Sequence, residues 1–583
     1  MSKILVFSPF EVLWSHSYPE SLVIEALQKA GHEILKIKCE KDFATFCVGM
    51  AAFGKSISSS DEEKEAICRK CMARGFLLNS RLKIQSEQLF AGKDFEEVWE
   101  KFYKSNKTKM SSNKLKSISF RGYPIGKFII SSFFIKNKKS NFDFTTLQLK
   151  ELVIEAKNTL KSLLSAEEAF RNYRPDRFIC TASNYSVNFA WCAVAERNNV
   201  PFYYLMCGTN LSDRYQKLVL CRGYSLQRDL LKAWPRFKNR IISKKEIEYI
   251  NKNINILINS KSVFVYSKTT DGADIVKLQN LGIQNYKKVY LATTSSYDEI
   301  YAAQESGLYS KPKGLIFNTQ IDWLEFLISE FKKQPDYLLI IRVHPREFPN
   351  KRDSETSDHA QSILNLKKRA LKYSNIYFNL PDDNISLYSI FKFVDIGLNG
   401  WSTVGKEMGL FGIPVISYCK DLLYYPQELN IVPDGIEKYK KALFAEIGWQ
   451  KKIGLFKSTY RWQIFEDLIS KIDISDSFSH NENTELPRLQ KIRNQLFKKI
   501  DPLFVEKSDI RNRSKEMKSG VLITKIIELK LRNKVEYLMK ISDDVNYLKV
   551  RSDEEEGNII ENIQRLNHEF LRKQSKAFVF SCN

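Results

Sequence analysis

Short apolar runs alternate along most of this chain with longer stretches whose apolar residues recur every three or four positions. Residues 4–7 (ILVF) read as a buried strand, and the loop SPFEVLWSHSYPE follows. A periodic stretch from about Glu20 to Ala30 reads as a helix, and after Gly31-His32 the run EILKIK reads as a second strand. Strand, loop, helix, strand is the first unit of a parallel α/β sheet. The pattern returns at 177–205, with RFICT, the polar loop TASNYS, the helix VNFAWCAVAERNN and the strand VPFYYLM.

From about 260 the alternation restarts. VFVYS, KKVYLA, GLIF, DYLLIIRV, NIYFNLP, VDIGLN and IPVISY read as strands, with DWLEFLISEFKK, SLYSIFKF and VGKEMGLFG as helices between them. Past about 480 the strand signals stop, and 519–541 (SGVLITKIIELKLRNKVEYLMKI) carries the spacing of an amphipathic helix. The expected fold is α/β with two Rossmann-like domains and a helical tail. The expected boundaries are 1–275, 276–460 and 461–583.

A length of 583 residues agrees with more than one core. Apolar residues at 43% and aromatics at 13% exclude a disordered chain. The formal net charge of +23 points to an anionic partner: nucleic acid, a membrane surface or a phosphorylated substrate. Residues 104–140 concentrate that charge, with ten Lys or Arg and no Asp or Glu. The segment reads either as a solvated, partly mobile insertion or as a patch for anionic lipid or a lipid-linked phosphorylated acceptor.

The start MSKILVFSPF reads as a strand rather than a signal peptide, which with ten scattered cysteines suggests a reducing cytosol. Cys68 and Cys71 form a single CxxC without a second pair, so zinc is not expected. FIISSFFI (128–135) is too short to cross a bilayer.

Ligands of open parallel sheets bind outside the carboxyl ends of the strands. In the second half four such loops carry polar residues: one with Ser295, Ser296 and Asp298, one with Asn318, one with His344 and Arg346, and one with Trp401, Ser402 and Thr403. Pro345 ends its strand, so Arg342, His344 and Arg346 emerge where a phosphate can be held by charge-assisted hydrogen bonds. Ser402-Thr403 precedes a helix, whose free N–H groups favour phosphate, and Glu407 lies one turn inside, placed to accept from sugar or ribose hydroxyls.

RVHPRE, then SLYSIFKF, then VDIGLNGWSTVGKEMGLFGIPVISY resembles the bacterial capsule and surface polysaccharide glycosyltransferases of the GT-B fold, which include transferases of Kdo and sialic-acid-type sugars. Their HP motif and serine-containing S[ST]xGxE-like segment match His344-Pro345 and Ser402–Glu407. The resemblance covers about 285–420, and Arg121–Gly126 (RGYPIG) is similar to a segment in the amino-terminal half of such proteins. It implies two domains facing a cleft, with His344, Ser402 and Thr403 on donor phosphate and Glu407 on nucleotide or sugar hydroxyls. The usual Ser-Ser is Ser-Thr here, which keeps the hydroxyl but leaves donor preference open.

The function so implied is a metal-independent glycosyltransferase without cofactor. It takes a sugar from a nucleotide-sugar donor to a glycan or lipid-linked acceptor in capsule or lipopolysaccharide assembly. The expected location is cytoplasmic, with peripheral contact to an anionic membrane. An inverting transfer needs a base, for which Glu11, His16, Glu20 and Asp213 are offered by loops of the first half, with Glu11 and His16 favoured as catalytic residues. A nucleotide-sugar epimerase or hydrolase of the same fold is the alternative enzyme. A basic nucleic-acid-binding protein is the alternative from another class. It is disfavoured because no zinc finger, recognition helix or RNP-type motif is present, so no nucleic-acid partner is expected.

Overall fold

The computed structural model describes residues 1–182, 184–262, 264–311, 315–350, 355–420, 424–478, 501–512 and 552–572. They form two compact units. The first draws on Met1–Asp229, Asp298–Ser310 and Ser470–Ser542, the second on Leu230–Tyr297, Lys311–Ile469 and Asp543–Asn583. The second unit thus begins well before 276. Ser267 and Asp274 tie the 260–275 stretch to it: Ser267 Oγ accepts from Leu387 N at 2.8 Å, and Asp274 Oδ2 accepts from Ser386 N at 3.0 Å.

In the first unit the strands are β1 (Lys3–Ser8), β2 (Glu33–Lys38), β3 (Ser86–Gln88), β4 (Arg177–Thr181), β5 (Phe202–Cys207) and β6 (Lys217–Arg222). They lie in the order β3-β2-β1-β4-β5-β6, and a two-residue strand, Ile472–Asp473, is added beyond β6. β1 to β5 are parallel, while β6 and Ile472–Asp473 run antiparallel to their neighbours. Ile4 and Val6 of β1 pack on Leu22 and Leu27 of the helix Trp14–Lys29 and on Leu78 and Leu82 of the helix Asp61–Leu82. Ser60 and Glu63 start that second helix with a reciprocal capping box.

The basic segment folds into this unit through its apolar residues, while Lys104, Lys107, Lys114, Lys116, Arg121 and Lys136 stay exposed. Within it, the helix Ile125–Lys136 buries Phe128, Ile129, Ile130, Phe133 and Phe134, so FIISSFFI is core rather than a membrane anchor. Among the described residues no helix is long and apolar enough to cross a membrane.

The second unit carries β7 (Lys288–Thr293), β8 (Tyr337–Arg342), β9 (Ile376–Asn379), β10 (Ile396–Asn399) and β11 (Val415–Ser417), all parallel, in the order β11-β10-β7-β8-β9. Leu338 to Ile341 are buried in sequence, as expected of a parallel strand covered on both faces. Among the described residues two expected strands are absent. Residues 316–319 of GLIFNT are bends, and the described part of VFVYS is irregular, although Val265 is buried. Each is a short apolar run, which periodicity cannot distinguish from a buried loop.

The tail divides between the units. In the first, Glu506 on the helix Phe504–Asn512 pairs with Arg74, and Asp509 accepts from the Trp14 indole at 3.0 Å. In the second, Glu555 on the helix Ser552–Arg572 accepts from Arg461 Nε at 2.9 Å and from Ile242 N at 3.0 Å. The amphipathic stretch 519–541 lies outside the described residues.

Candidate functional site

The five strands of the second sheet end level. Thr293 stands opposite Arg342 and Asn399, Arg342 opposite Asn379, and Asn399 opposite Ser417. The chain runs from β7 through β8 to β9 on one side and crosses to β10 and β11 on the other. The topological switch point, where open α/β sheets hold their ligands, therefore lies between β7 and β10. The loops at that place are 294–296 and 400–403.

Asn399, fully buried, organises the junction. Its Oδ1 accepts from Thr293 Oγ1 at 3.2 Å across the two strands, and its Nδ2 donates at 2.8 Å to the Ser402 carbonyl and at 2.8 Å to the Tyr425 hydroxyl. Ser417 Oγ donates to the Gly400 carbonyl at 3.1 Å, so both flanks of the 400–403 loop are held. Gly405 is required by the same packing. A Cβ there would lie 2.0 Å from the Tyr425 hydroxyl and 2.4 Å from Asn399 Nδ2.

On the other side of the switch point, Thr294 Oγ1 accepts from His344 N at 2.7 Å, and Ser296 Oγ lies 3.4 Å from His344 Nδ1. His344 Nδ1 also accepts from Arg346 N at 3.2 Å, so the neutral ring carries its proton on Nε2. Ser295 is held through its backbone: its N–H donates to Gln320 Oε1 at 2.8 Å and its carbonyl accepts from Gln320 Nε2 at 3.4 Å. Its hydroxyl is buried without a hydrogen-bond partner. A buried polar atom left this way is uncommon and fits a place where a ligand group is accepted.

The residues expected at this rim are thus partly gathered and partly diverted. Ser295, Ser296 and His344 share one side of the junction. Trp401, Ser402 and Thr403 form the loop on the other, where Ser402 Oγ accepts from Val404 N at 3.3 Å and Thr403 is exposed. The helix they precede, Val404–Leu410, has only seven residues.

Arg342 does not reach outward. Its guanidinium is buried on the Asn379 side chain and donates to the Ile385 carbonyl at 3.0 Å. Burial lowers its pKa to about 10, opposed by the nearby Asp383 carboxylate. Glu407 accepts from the Tyr388 hydroxyl at 3.0 Å, and burial raises its carboxyl above the ordinary range. Arg346 contributes its backbone N–H to the histidine ring. Asn318 is exposed in the bend before the helix Gln320–Phe331, because the strand expected to present it is not formed. Asp298 is buried in the helix Tyr297–Glu305 and counts with the first unit.

Gln320, two positions past Asn318 in an expected rim loop, carries no expected role, and Tyr425 is not foreseen. Their only sequence signal is polarity beside apolar neighbours, and their partners lie 25 and 26 residues away.

The first sheet has the same order around its centre, β3-β2-β1-β4-β5, so its switch point lies between β1 and β4. Glu11, favoured as a base, is committed there to structure. Its Oε1 accepts from the fully buried Lys36 ammonium at 2.6 Å, and it fills the space where a Cβ on Gly75 would stand. His16 lines a crevice at the junction together with Glu20, Thr181 and Asn188. Burial, with Arg214 nearby, lowers its pKa to about 4. Glu20, offered by sequence but not favoured, is raised to about 7 by burial, opposed by Lys36 and by hydrogen bonds from Ser8 and Thr181.

A larger cavity of about 230 Å³ in this unit is lined by Cys39, Cys47, Cys68 and Cys71 among apolar side chains. Burial pushes the Cys71 thiol up to about 12 and Cys47 to about 11, so these sulfurs stay protonated. Among the described residues no three His, Cys, Asp or Glu side chains are grouped as metal ligands.

No protein-family profile matches the chain. No curated protein matches it either. Among solved structures it is similar to the UDP-GlcNAc 2-epimerase of Neisseria meningitidis bound to UDP-GlcNAc, at 12% identity and a TM-score of 0.24, over 79% of this chain and 96% of that one. It is also similar to the KpsC β-Kdo 2,4 transferase of Thermosulfurimonas dismutans, at 12% identity and a TM-score of 0.30, over 48% and 78%. A third likeness is to the UDP co-structure of S. aureus MnaA, at 12% identity and a TM-score of 0.23, over 79% and 91%. Scores this low decide nothing about chemistry, which rests on the side chains described above.

Proposed function

We propose that this chain is a nucleotide-sugar-dependent glycosyltransferase that binds the donor's phosphates at the β7–β10 junction. The observation that carries the reading is the set of neutral hydrogen-bonding groups gathered at that switch point: the unpartnered Ser295 hydroxyl, Ser296, His344 with its proton on Nε2, and the Ser402 loop. Hydroxyl and N–H donors fixed in a partly buried place stabilise charge as it develops on a leaving phosphate. That is the work a transferase asks of its donor site, and it needs no metal to be done. The acceptor we propose is a glycan or a lipid-linked glycan of a surface polysaccharide. The net charge of +23 supports an anionic substrate and a peripheral stay at an anionic membrane.

Thermal denaturation against CMP, UDP, GDP and dTDP tests the donor site, because a ligand that binds only the folded chain raises its midpoint. At least one nucleotide is expected to do so, and none doing so overturns the reading. Incubation with the matching nucleotide sugar alone separates transfer from epimerisation, since an epimerase converts the sugar without acceptor.

A further inference from the structure

The cavity of about 230 Å³ lies on the β2 side of β1, and every residue on its wall falls between Pro9 and Phe76. One unit therefore builds it whole. The loop after β1, the end of β2 at Lys38, the stretch around Phe43 and Cys47, and one side of the helix Asp61–Leu82 enclose it. Phe10, Val12 and Phe43 are buried on this wall, while Phe76 is 75% exposed and marks the side that opens to solvent.

The wall is soft and apolar. Burial pushes the Cys39 thiol well above its usual range, as it does Cys47 and Cys71, and a neutral thiol packs as a small hydrophobe. Of the charged groups on the wall only Glu11 is buried, and Lys36 at 2.6 Å already matches it. A space so lined offers water few partners and takes an apolar guest. A void of about 150 Å³ lined by aliphatic and aromatic side chains takes benzene. In proportion, 230 Å³ takes a chain of about nine carbons.

The rim is charged. Lys38 pairs with Glu40 at 2.5 Å and Lys41 with Glu65 at 2.5 Å, and Arg69 shares Glu65 at 3.8 Å. Three cations over two carboxylates leave one positive charge in excess. Exposed pairs of this kind are weak and yield readily to another anion. Glu40 and Lys41 also stand at φ +45° and +75°, successive L-residues in the left-handed region. Backbone strain of this kind collects at ligand clamps.

We infer that this cavity is a binding site for a medium-chain fatty acid, with a chain of about eight to ten carbons on the thiol-lined wall and the carboxylate among Lys38, Lys41 and Arg69. The longer chains of membrane lipids would leave much of their length in water. The fatty acid takes no part in sugar transfer, and the site stands whether or not the donor reading does.

Calorimetric titration of the full chain with hexanoate, octanoate, decanoate and palmitate, each below its micellar concentration, tests the site. Each methylene that enters the cavity should tighten binding about fourfold. The gain should stop near decanoate, with palmitate no tighter. Affinity that climbs on through palmitate means adsorption to an open surface and overturns the inference, as does the absence of binding by every chain. Decylammonium should bind about tenfold more weakly than decanoate, because the rim offers it no excess of anions. Equal or tighter binding of the amine refutes the carboxylate site.

Met72→Trp places a larger side chain on the same wall and should abolish decanoate binding; binding unchanged in a folded variant overturns the inference. A measurement on the wild type keeps the test open if that variant does not fold. Methyl methanethiosulfonate modification is followed by mass spectrometry at Cys39, Cys47, Cys68 and Cys71, with Cys207 outside the cavity as the control. With decanoate at about ten times its Kd, modification of the wall thiols should slow about tenfold, the fraction left unbound, and Cys207 should not change. Equal rates with and without decanoate at the wall thiols refute the site.

Discussion

In both sheets the first strand of the unit lies beside the fourth, yet the side chains at the two junctions differ in kind. At β7–β10 stand neutral hydroxyls, amides and an imidazole, cross-bonded through Asn399 and Gln320. At β1–β4 stand Glu20 and His16, both moved far from their ordinary pKa values by burial. One strand order therefore carries two kinds of side-chain set. Rigid dipoles suit the holding of a charge that arrives or develops, whereas a carboxyl near half-ionisation suits the movement of a proton.

The sharpest way to break the neutral junction is Gly405→Val. Its side chain would overlap the Tyr425 hydroxyl and the Asn399 amide, and a loss of about 3 kcal/mol is expected in urea unfolding. At the other junction, Glu20→Gln should stabilise the chain at neutral and higher pH. A carboxyl raised from 4.5 to about 7 costs nothing below pH 4.5, and the chain loses stability as pH rises through 7. The variant should therefore match wild type at pH 4.5 and exceed it by about 2 kcal/mol at pH 8, read as diverging unfolding midpoints.

A smaller effect is expected for His344→Ala, which removes the ring N–H. Affinity for the bound nucleotide should fall about tenfold, or about 1.4 kcal/mol, by calorimetric titration. Smallest is Ser295→Ala, which deletes a buried hydroxyl without a partner. Stability should hold or rise by about 0.5 kcal/mol, while nucleotide binding weakens by a similar amount. Opposite signs from one substitution would mark a group kept for binding rather than folding.

Much of this architecture was legible in the chain. ILVF, RFICT, KKVYLA and DYLLIIRV are built on apolar runs ended by polar residues or Pro345, EILKIK is an apolar run interrupted by Lys36, and each is a strand. The loops bearing Ser296, His344 and Ser402 follow strand ends as their spacing implies. What escaped depends on partners brought together only by folding. Nothing near Glu11 announces Lys36, 25 residues on, as its buried counter-charge, and nothing near Arg342 announces Asn379 and Ile385. Glu20 is one candidate base among four in the sequence and not a favoured one, yet Thr181, 161 positions away, holds it at the junction. GLIF and VFVYS misled because an apolar run of four or five residues buries equally well as strand or as loop.

The path of the chain between its two units has a practical meaning for deletion mapping. It passes from one to the other at 229/230, 297/298, 310/311 and 469/470, and the helices 504–512 and 552–572 return to different units. Cutting before 500 would strip Glu506 from Arg74 and Glu555 from Arg461 at once, leaving a largely buried guanidinium in each half unmatched. Buried charges stripped of their counter-ions destabilise strongly. Neither lobe can then be recovered as one continuous fragment, and a truncated chain that loses activity reports on its integrity before it reports on its chemistry.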